Sequence, residues 1–426
     1  MKISDATGEV LWSEFWGPSS AWNESVFALD VDSQGDLIVG GRRFIDGNND
    51  DYLVLKFDGG DGSLIWEYTR DGAAGGFEDR IWDVVVDADD NTVATGIGFD
   101  QDGTAQFCTF KLDPDGDLIW IREETGAVQN STPAGWLALD AAGNAIMANR
   151  SWVSGEAYNV VLRKYAAGDG ATIWESGYDS ESHGTDDPRG MCLDSAGKIL
   201  VAGVSNSDYM TLKFDETDGS LIWQSGYDGP PGWYDLANTV TESPAGEVLV
   251  TGFSSSEMGG WDVLIQALDP QDGVELWTQR YNGADDLTDE GMRIACSNLG
   301  DIYLVGYSYA FATDQDQLLI RYRAGATDLP PGIAEAGLLA AWPNPFRSST
   351  TLRLSLESRR EVELGVYDVT GRLVRRLDGG LLEAGERELI WDGRDDGGRE
   401  LPAGVYFAGL KRGGEIEGRA KLLLVK

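Results

Sequence analysis

Gly62-Ser63-Leu64-Ile65-Trp66 decides how this chain folds, because it returns. Gly116-Asp117-Leu118-Ile119-Trp120 repeats it one unit later. The pattern Gly-x-x-x-Trp runs from Gly8 to Trp12, Gly62 to Trp66, Gly116 to Trp120, Gly170 to Trp174, Gly219 to Trp223 and Gly273 to Trp277. Successive tryptophans are 54, 54, 54, 49 and 54 residues apart. Self-similarity at that period marks a propeller or a solenoid. Each unit cannot bury its own apolar faces and must stack on its neighbours.

The rest of the repeat shows what the unit is. Each motif glycine follows Thr7, Asp61, Asp115, Asp169, Asp218 or Asp272, a tight-turn pair in which glycine takes positive φ without steric cost. Alternating runs such as Tyr52 to Asp58 and Tyr209 to Asp215 lie upstream, so the motif closes a hairpin. A second hairpin precedes it, turning at Asp32-Ser33-Gln34-Gly35 and its counterparts. Two hairpins per unit make four short strands, one propeller blade. The predicted fold is all-β: a six-bladed propeller over residues 1–326, a linker over 327–340 and a small Ig-like β-sandwich over 341–426. The chain starts at a third-to-fourth-strand turn and the sixth repeat stops after its third strand. Residues 9–16 are therefore expected to pair with 317–323 and close the last blade. Lys2 to Asp5 duplicates the end of a third strand, which leaves open further residues or blades upstream.

The C-terminal stretch carries Pro343-Asn344-Pro345-Phe346, Val366-Tyr367-Asp368-Val369-Thr370-Gly371-Arg372, Trp391-Asp392-Gly393 and Pro402-Ala403-Gly404-Val405-Tyr406. These resemble the C-terminal sorting domain of type IX secretion substrates and the Ig-like domain of flagellar hook-capping proteins. The resemblance implies a delivery module that engages the type IX machinery, hence a secreted or cell-surface protein; a plain structural Ig module is the other reading. The Thr/Asp-Gly-x-x-x-Trp repeat is similar to the docking repeat of pyrroloquinoline-quinone propellers. Those enzymes are usually eight-bladed and carry adjacent cysteines at the cofactor, and this chain has no such pair. The tryptophans are expected to pack between blades.

Composition narrows the partners. The formal charge is −39, and residues 341–426, with 15 Lys/Arg and 14 Asp/Glu, contribute almost none of it. A surface this acidic repels nucleic acid and anionic membranes. It suits divalent cations, basic partners or a saline medium. Cys108, Cys192 and Cys296 fall in different repeats and make no disulfide framework or metal set. The sequence shows no membrane span and no signal-peptide pattern.

Candidate sites are few. His183 is the sole histidine and no two cysteines are adjacent, so no nucleophile–histidine–acid arrangement and no quinone are expected. Asp113, Asp115, Asp117 and Glu124 imitate a calcium loop, but Leu118 stands where such a loop needs glycine, so this is read as a hairpin turn. Glu24, Asp79, Thr132, Asp186, Asp235 and Asp289 occupy one repeat position, eight residues before the first-hairpin turn. Glu24, Asp79, Asp186, Asp235 and Asp289 are expected to ring one channel mouth and bind Ca²⁺ weakly, or to tie neighbouring blades through backbone N–H groups. Trp22, Trp233 and Tyr234 are candidates for contact with an extracellular glycan or protein ligand. A binding or adhesion propeller is the primary reading. A polysaccharide lyase or glycoside hydrolase and a structural surface-layer protein stay open beside it.

Overall fold

The computed structural model describes residues 2–3, 9–14, 16, 24–45, 49–72, 79–99, 104–125, 135–152, 157–229, 234–256, 260–283, 287–297, 300–310, 314–322, 339–342, 349–356, 359–368, 372–382, 385–402, 404–412 and 415–424. Among them the regular structure is all strand. Two compact units divide the chain: residues 1–242, 246–257 and 265–278 form one, and 243–245, 258–264 and 279–426 the other.

Five four-stranded antiparallel sheets follow one another, and we call them blades. Blade 1 is Ser25–Val31, Leu37–Ile45, Asn49–Phe57 and Leu64–Arg70. Blade 2 is Arg80–Val86, Thr92–Phe99, Ala105–Leu112 and Leu118–Thr125. Blade 3 is Trp136–Leu139, Ala145–Trp152, Tyr158–Tyr165 and Thr172–Tyr178. Blade 4 is Asp186–Leu193, Ile199–Ser205, Asp208–Phe214 and Leu221–Tyr227. Blade 5 is Asp235–Glu242, Val248–Ser255, Trp261–Leu268 and Glu275–Tyr281. A sixth sheet has three described strands, Asp289–Cys296, Ile302–Ala310 and Asp314–Tyr322. The apolar faces meet between blades, as where Ile81 and Val84 of blade 2 pack on Ile38 and Val54 of blade 1. Gly40 lies in this layer, where a Cβ would stand 2.6 Å from the Val84 side chain.

Antiparallel order gives every blade two different edges. The two hairpin turns lie on one, the turn edge. The start of the first and third strands and the end of the second and fourth lie on the other, the loop edge.

The turn edge repeats in detail. Trp66 donates its indole N–H to Pro114 O, Trp120 to Ala167 O, Trp174 to Glu216 O and Trp223 to Pro270 O, each a carbonyl of the next blade's outer turn. The motif glycine of that next blade lies under the ring: a Cβ on Gly116 would stand 2.9 Å from Trp66, and one on Gly170 2.6 Å from Trp120. With φ of +90° and +67° at these glycines, no other residue serves. The third-strand lysine joins in. Lys111, Lys164 and Lys213 donate to the same three carbonyls as Trp120, Trp174 and Trp223. Each also pairs with the first-turn aspartate of its own blade, Lys111 with Asp87 at 2.7 Å, Lys164 with Asp140 at 2.8 Å and Lys213 with Asp194 at 2.7 Å. Asp140 Oδ1 accepts the N–H of Ala142 and Asn144, which shapes the turn. Asp113 does the same with Asp115 and Asp117, so the calcium-loop imitation is a turn.

The expected strand closure is corrected. Val10–Trp12 pairs with Lys2–Ile3 in a sheet of its own, in the register Lys2↔Trp12 and Ile3↔Val10. The reason lies in the duplicated lysine. Lys2 Nζ and Trp12 Nε1 both donate to Gly59 O, at 2.5 and 3.3 Å, as Lys111 and Trp120 do to Ala167 O. Lys2–Ile3 and Val10–Trp12 therefore take the third and the fourth strand positions against blade 1.

The C-terminal region is Ig-like, with sheets of three and four strands. Leu339–Trp342, Thr350–Leu356 and Gly385–Trp391 make one. Leu373–Leu382, Arg360–Asp368, Gly404–Arg412 and Glu415–Leu424 make the other, in that order. Leu339 and Ala340, expected in the linker, pair with Leu354 and Arg353. Trp391 and Tyr406 meet edge to face at 5.3 Å in a core with Leu352, Val366 and Leu422. The Trp-Asp-Gly and Gly-Val-Tyr signatures are thus core and corner: Trp391 Nε1 donates to Arg394 O and Tyr406 OH to Pro402 O.

Candidate functional site

The loop edge carries what varies. Asp79 immediately precedes the first strand of blade 2, and Asp186, Asp235 and Asp289 open those of blade 4, blade 5 and the sixth sheet; all four are buried. Each accepts a backbone N–H from the segment just before it. Gly72 N donates to Asp79 at 2.6 Å, Ser180 N to Asp186 at 2.8 Å, Gly229 N to Asp235 at 2.8 Å and Gly283 N to Asp289 at 2.6 Å. Glu24, before blade 1, is half-buried. Thr132, Trp22 and Trp233 lie outside the described residues.

The structure groups these acids differently from the expected ring. Asp79 lies with Asp51 and Asp71, and Asp235 with Asp208 and Asp228; within each trio one carboxylate oxygen from each residue comes within 4.8 Å of the others. Each trio holds one of the five expected ligands and two residues that the single-position search missed. A signal for them exists. Asp51 and Asp208 stand fifteen residues before Trp66 and Trp223, and Asp71 and Asp228 five after. Asn159 and Asp179 take these places around Trp174, and Asp262 and Asn282 around Trp277.

Burial sets the electrostatics. It pushes the Asp79 carboxyl up to about 7; the Gly72 and Phe99 N–H groups oppose this, and Asp71 and Asp51 add to it. Asp51 is raised by burial and by Asp71, against the charge of Arg43, which is itself held by Glu67 at 2.5 Å. Asp208 is raised by burial with Asp228 and Asp235 beside it. Elsewhere the equivalent acids have other partners: His183 Nδ1 lies 2.7 Å from Asp179, and Arg280 lies 3.4 Å from Asp262.

Aromatic groups share this edge. Tyr234 is partly exposed, 5.8 Å from Phe253, and its backbone is clamped by the Ser255 hydroxyl. The sequence reading missed a stronger feature in blade 3. Trp152, 43% exposed, pairs across the strands with Tyr158, ring to ring at 5.2 Å and 74°. The Arg150 guanidinium lies 4.5 Å from the centre of the Tyr158 ring and bonds Asp187 at 2.7 Å. Such a platform offers apolar faces, one cation and one fixed anion to a ligand. No described helix is long and apolar enough to cross a membrane.

Comparison with known proteins follows the same division. A model of the FlgD Ig-like domain matches residues 346–411. A model of the outer membrane protein assembly factor BamB matches residues 110–323. No curated protein matches the chain. Among solved structures, PorZ, an essential bacterial surface component of the type-IX secretion system of Porphyromonas gingivalis, is similar at 14% identity and a TM-score of 0.41, over 94% of this chain and 51% of that one. The chain thus spans about half the length of PorZ. BamB from Moraxella catarrhalis is similar at 15% identity and a TM-score of 0.37, over 78% of this chain and 82% of that one. A quinohemoprotein alcohol dehydrogenase from Comamonas testosteroni is similar at 11% identity and a TM-score of 0.45, over 72% and 59%. The assembly-factor model covers half of this chain, and the chain belongs to the family of the outer membrane protein assembly factor BamB.

Proposed function

We propose that this protein is a binding propeller of the bacterial envelope or cell surface, carried there by its C-terminal Ig-like domain. Its ligand is an extracellular glycan or protein, taken on the loop edge. The observation that carries the reading is the Trp152–Tyr158–Arg150 platform, since a large indole left exposed beside a stacked arginine suits ligand contact more than packing. Family membership supports an envelope setting. The order of motifs from Pro343 to Tyr406, which resembles that of type IX sorting domains, supports delivery through the type IX machinery.

Two experiments test the two halves. The purified protein is screened against glycan arrays and envelope proteins, with the double variant Trp152→Ala, Tyr158→Ala as control. Binding that the double variant abolishes supports the reading; a ligand held equally by both proteins removes the platform from it. A reporter fused to residues 341–426 is expected at the surface of a type IX host, and a reporter retained inside the cell refutes delivery by this domain.

A further inference from the structure

The junction of blades 3 and 4 departs from its neighbours on the loop edge. Arg150, Trp152 and Tyr158 stand where blade 2 has Ile97, Phe99 and Ala105: Arg150 pairs with Val160 as Ile97 does with Phe107, and Trp152 with Tyr158 as Phe99 does with Ala105. The three blade 2 residues are buried in the core that this blade shares with blade 3. One junction further on, Val204 and Leu236 hold the places of Arg150 and Asp187, and both are buried with Phe253. The apolar seal found on either side is thus replaced here by arginine, aspartate and two aromatic rings. We propose that this junction binds an acidic glycan, a uronate-bearing oligosaccharide whose sugar ring stacks on Trp152 and whose carboxylate pairs with Arg189. The inference rests on the reading of the Trp152–Tyr158–Arg150 platform as the ligand site and names the class of ligand.

Charge decides the sign of the ligand. Arg150 Nη1 and Arg189 Nη2 both meet Asp187 Oδ2, at 2.7 and 3.0 Å. Two guanidiniums against one carboxylate leave one positive charge in excess, on a chain whose formal charge is −39. Arg150 is engaged by Asp187 and by the Tyr158 ring. Arg189 is the accessible one. It sits in a bulge between Pro188 and Gly190, outside the strand ladder, and its side chain is 42% exposed. A guanidinium holds five N–H donors in a planar fork, so the bond to Asp187 leaves donors that match a second carboxylate edge to edge. At physiological salt the screening length is about 8 Å, so acids farther away on the chain oppose such a ligand weakly. The apolar part decides its size. Among the described residues, Trp152 is the one large apolar side chain left exposed on the loop edge of this junction. An indole offers about 150–250 Å², against about 800 Å² per partner in a stable protein interface. That area suits one flat sugar ring and falls short of a protein face.

The test titrates the full-length protein by calorimetry with oligomers of galacturonate, glucuronate and mannuronate, with the methyl esters of the same oligomers, with a sulfated oligosaccharide and with an acidic peptide. A uronate oligomer is expected to bind, and its uncharged ester to bind about tenfold more weakly. Arg189→Gln is expected to lower affinity for the uronate by about tenfold and to leave that for the ester unchanged. Trp152→Ala is expected to abolish both. Arg42→Gln, at the place of Arg150 in blade 1, is expected to change neither. Thermal melting confirms that the variants are folded. Equal binding of acid and ester, or uronate affinity unchanged in Arg189→Gln, would overturn the acidic assignment and leave the platform standing. Preference for the sulfated sugar or the peptide would overturn it in favour of that ligand. If Trp152→Ala loses no ligand at all, neutral glycans included, the platform reading falls and this inference with it.

Discussion

The two edges of the blades handle buried carboxylates in opposite ways. On the turn edge Asp32 is buried and Asp87 and Asp140 are half-buried, and desolvation raises each, yet their carboxyls sit below the ordinary range, because the bond from Lys56, Lys111 or Lys164 and local backbone N–H groups outweigh it. On the loop edge Asp79 has acids for neighbours, and burial wins, up to about 7. On the turn edge of blades 1 to 4 the aspartate is paired with a lysine of its own blade, and the tryptophan is bonded to the next blade over that blade's glycine. The loop edge between blades 1 and 2 instead gathers three acids, Asp51, Asp71 and Asp79, with the backbone N–H groups of Gly72 and Phe99 on the buried one.

The contrast can be broken most severely on the turn edge. Lys213→Ala leaves Asp194 buried without its cation and is expected to cost about 3–5 kcal/mol in denaturant unfolding. A loss below about 1 kcal/mol would mean that the lysine–aspartate pairs are ornamental. Trp66→Ala, which empties the space over Gly116, is expected to cost about 3 kcal/mol. Trp223→Ala, at the junction of blades 4 and 5, should match it, because the staples are the same wherever the carboxylates differ.

Proton linkage separates the edges by sign. The turn-edge aspartates have lowered values, so the stability they give is present above the unfolded carboxylate pKa near 4 and is lost as pH falls through the folded values. Asp79 is raised, so its contribution is present below pH about 4 and lost as pH rises toward about 7, with an upper bound of about 4 kcal/mol. The protein melted across that window is expected to lose stability with rising pH, and Asp79→Asn to flatten the slope. A wild-type curve that rises through the window would contradict the raised carboxyl. Smaller still, Asp71→Asn relieves like-charge repulsion and is expected to stabilise by about 0.5–1 kcal/mol. Smallest in stability is Trp152→Ala, expected within about 1 kcal/mol of wild type while ligand binding falls.

Much of the turn edge is legible from the amino-acid sequence because its parts are local and periodic. The Asp-x-x-Gly and Asp-Gly turns act within six residues, and Trp66 recurs at Trp120, Trp174 and Trp223 in one phase. Strand alternation and turn chemistry are nearest-neighbour physics, so blades and Ig-like strands follow from them. What the tryptophans touch is a property of the stack: Pro114 O lies 48 residues from Trp66, and only tertiary packing brings them to 2.9 Å. The same holds for the duplicated Lys2, whose hairpin takes the place that the count of strands had reserved for a closing strand. The carboxylate position was visible as a column of acids, but its meaning was not. Asp51, Asp71 and Asp79 are dispersed over three strand ends. Charge clusters and the Trp152–Tyr158 platform depend on distances across strands and between blades, which burial and the stacking of one sheet on the next decide.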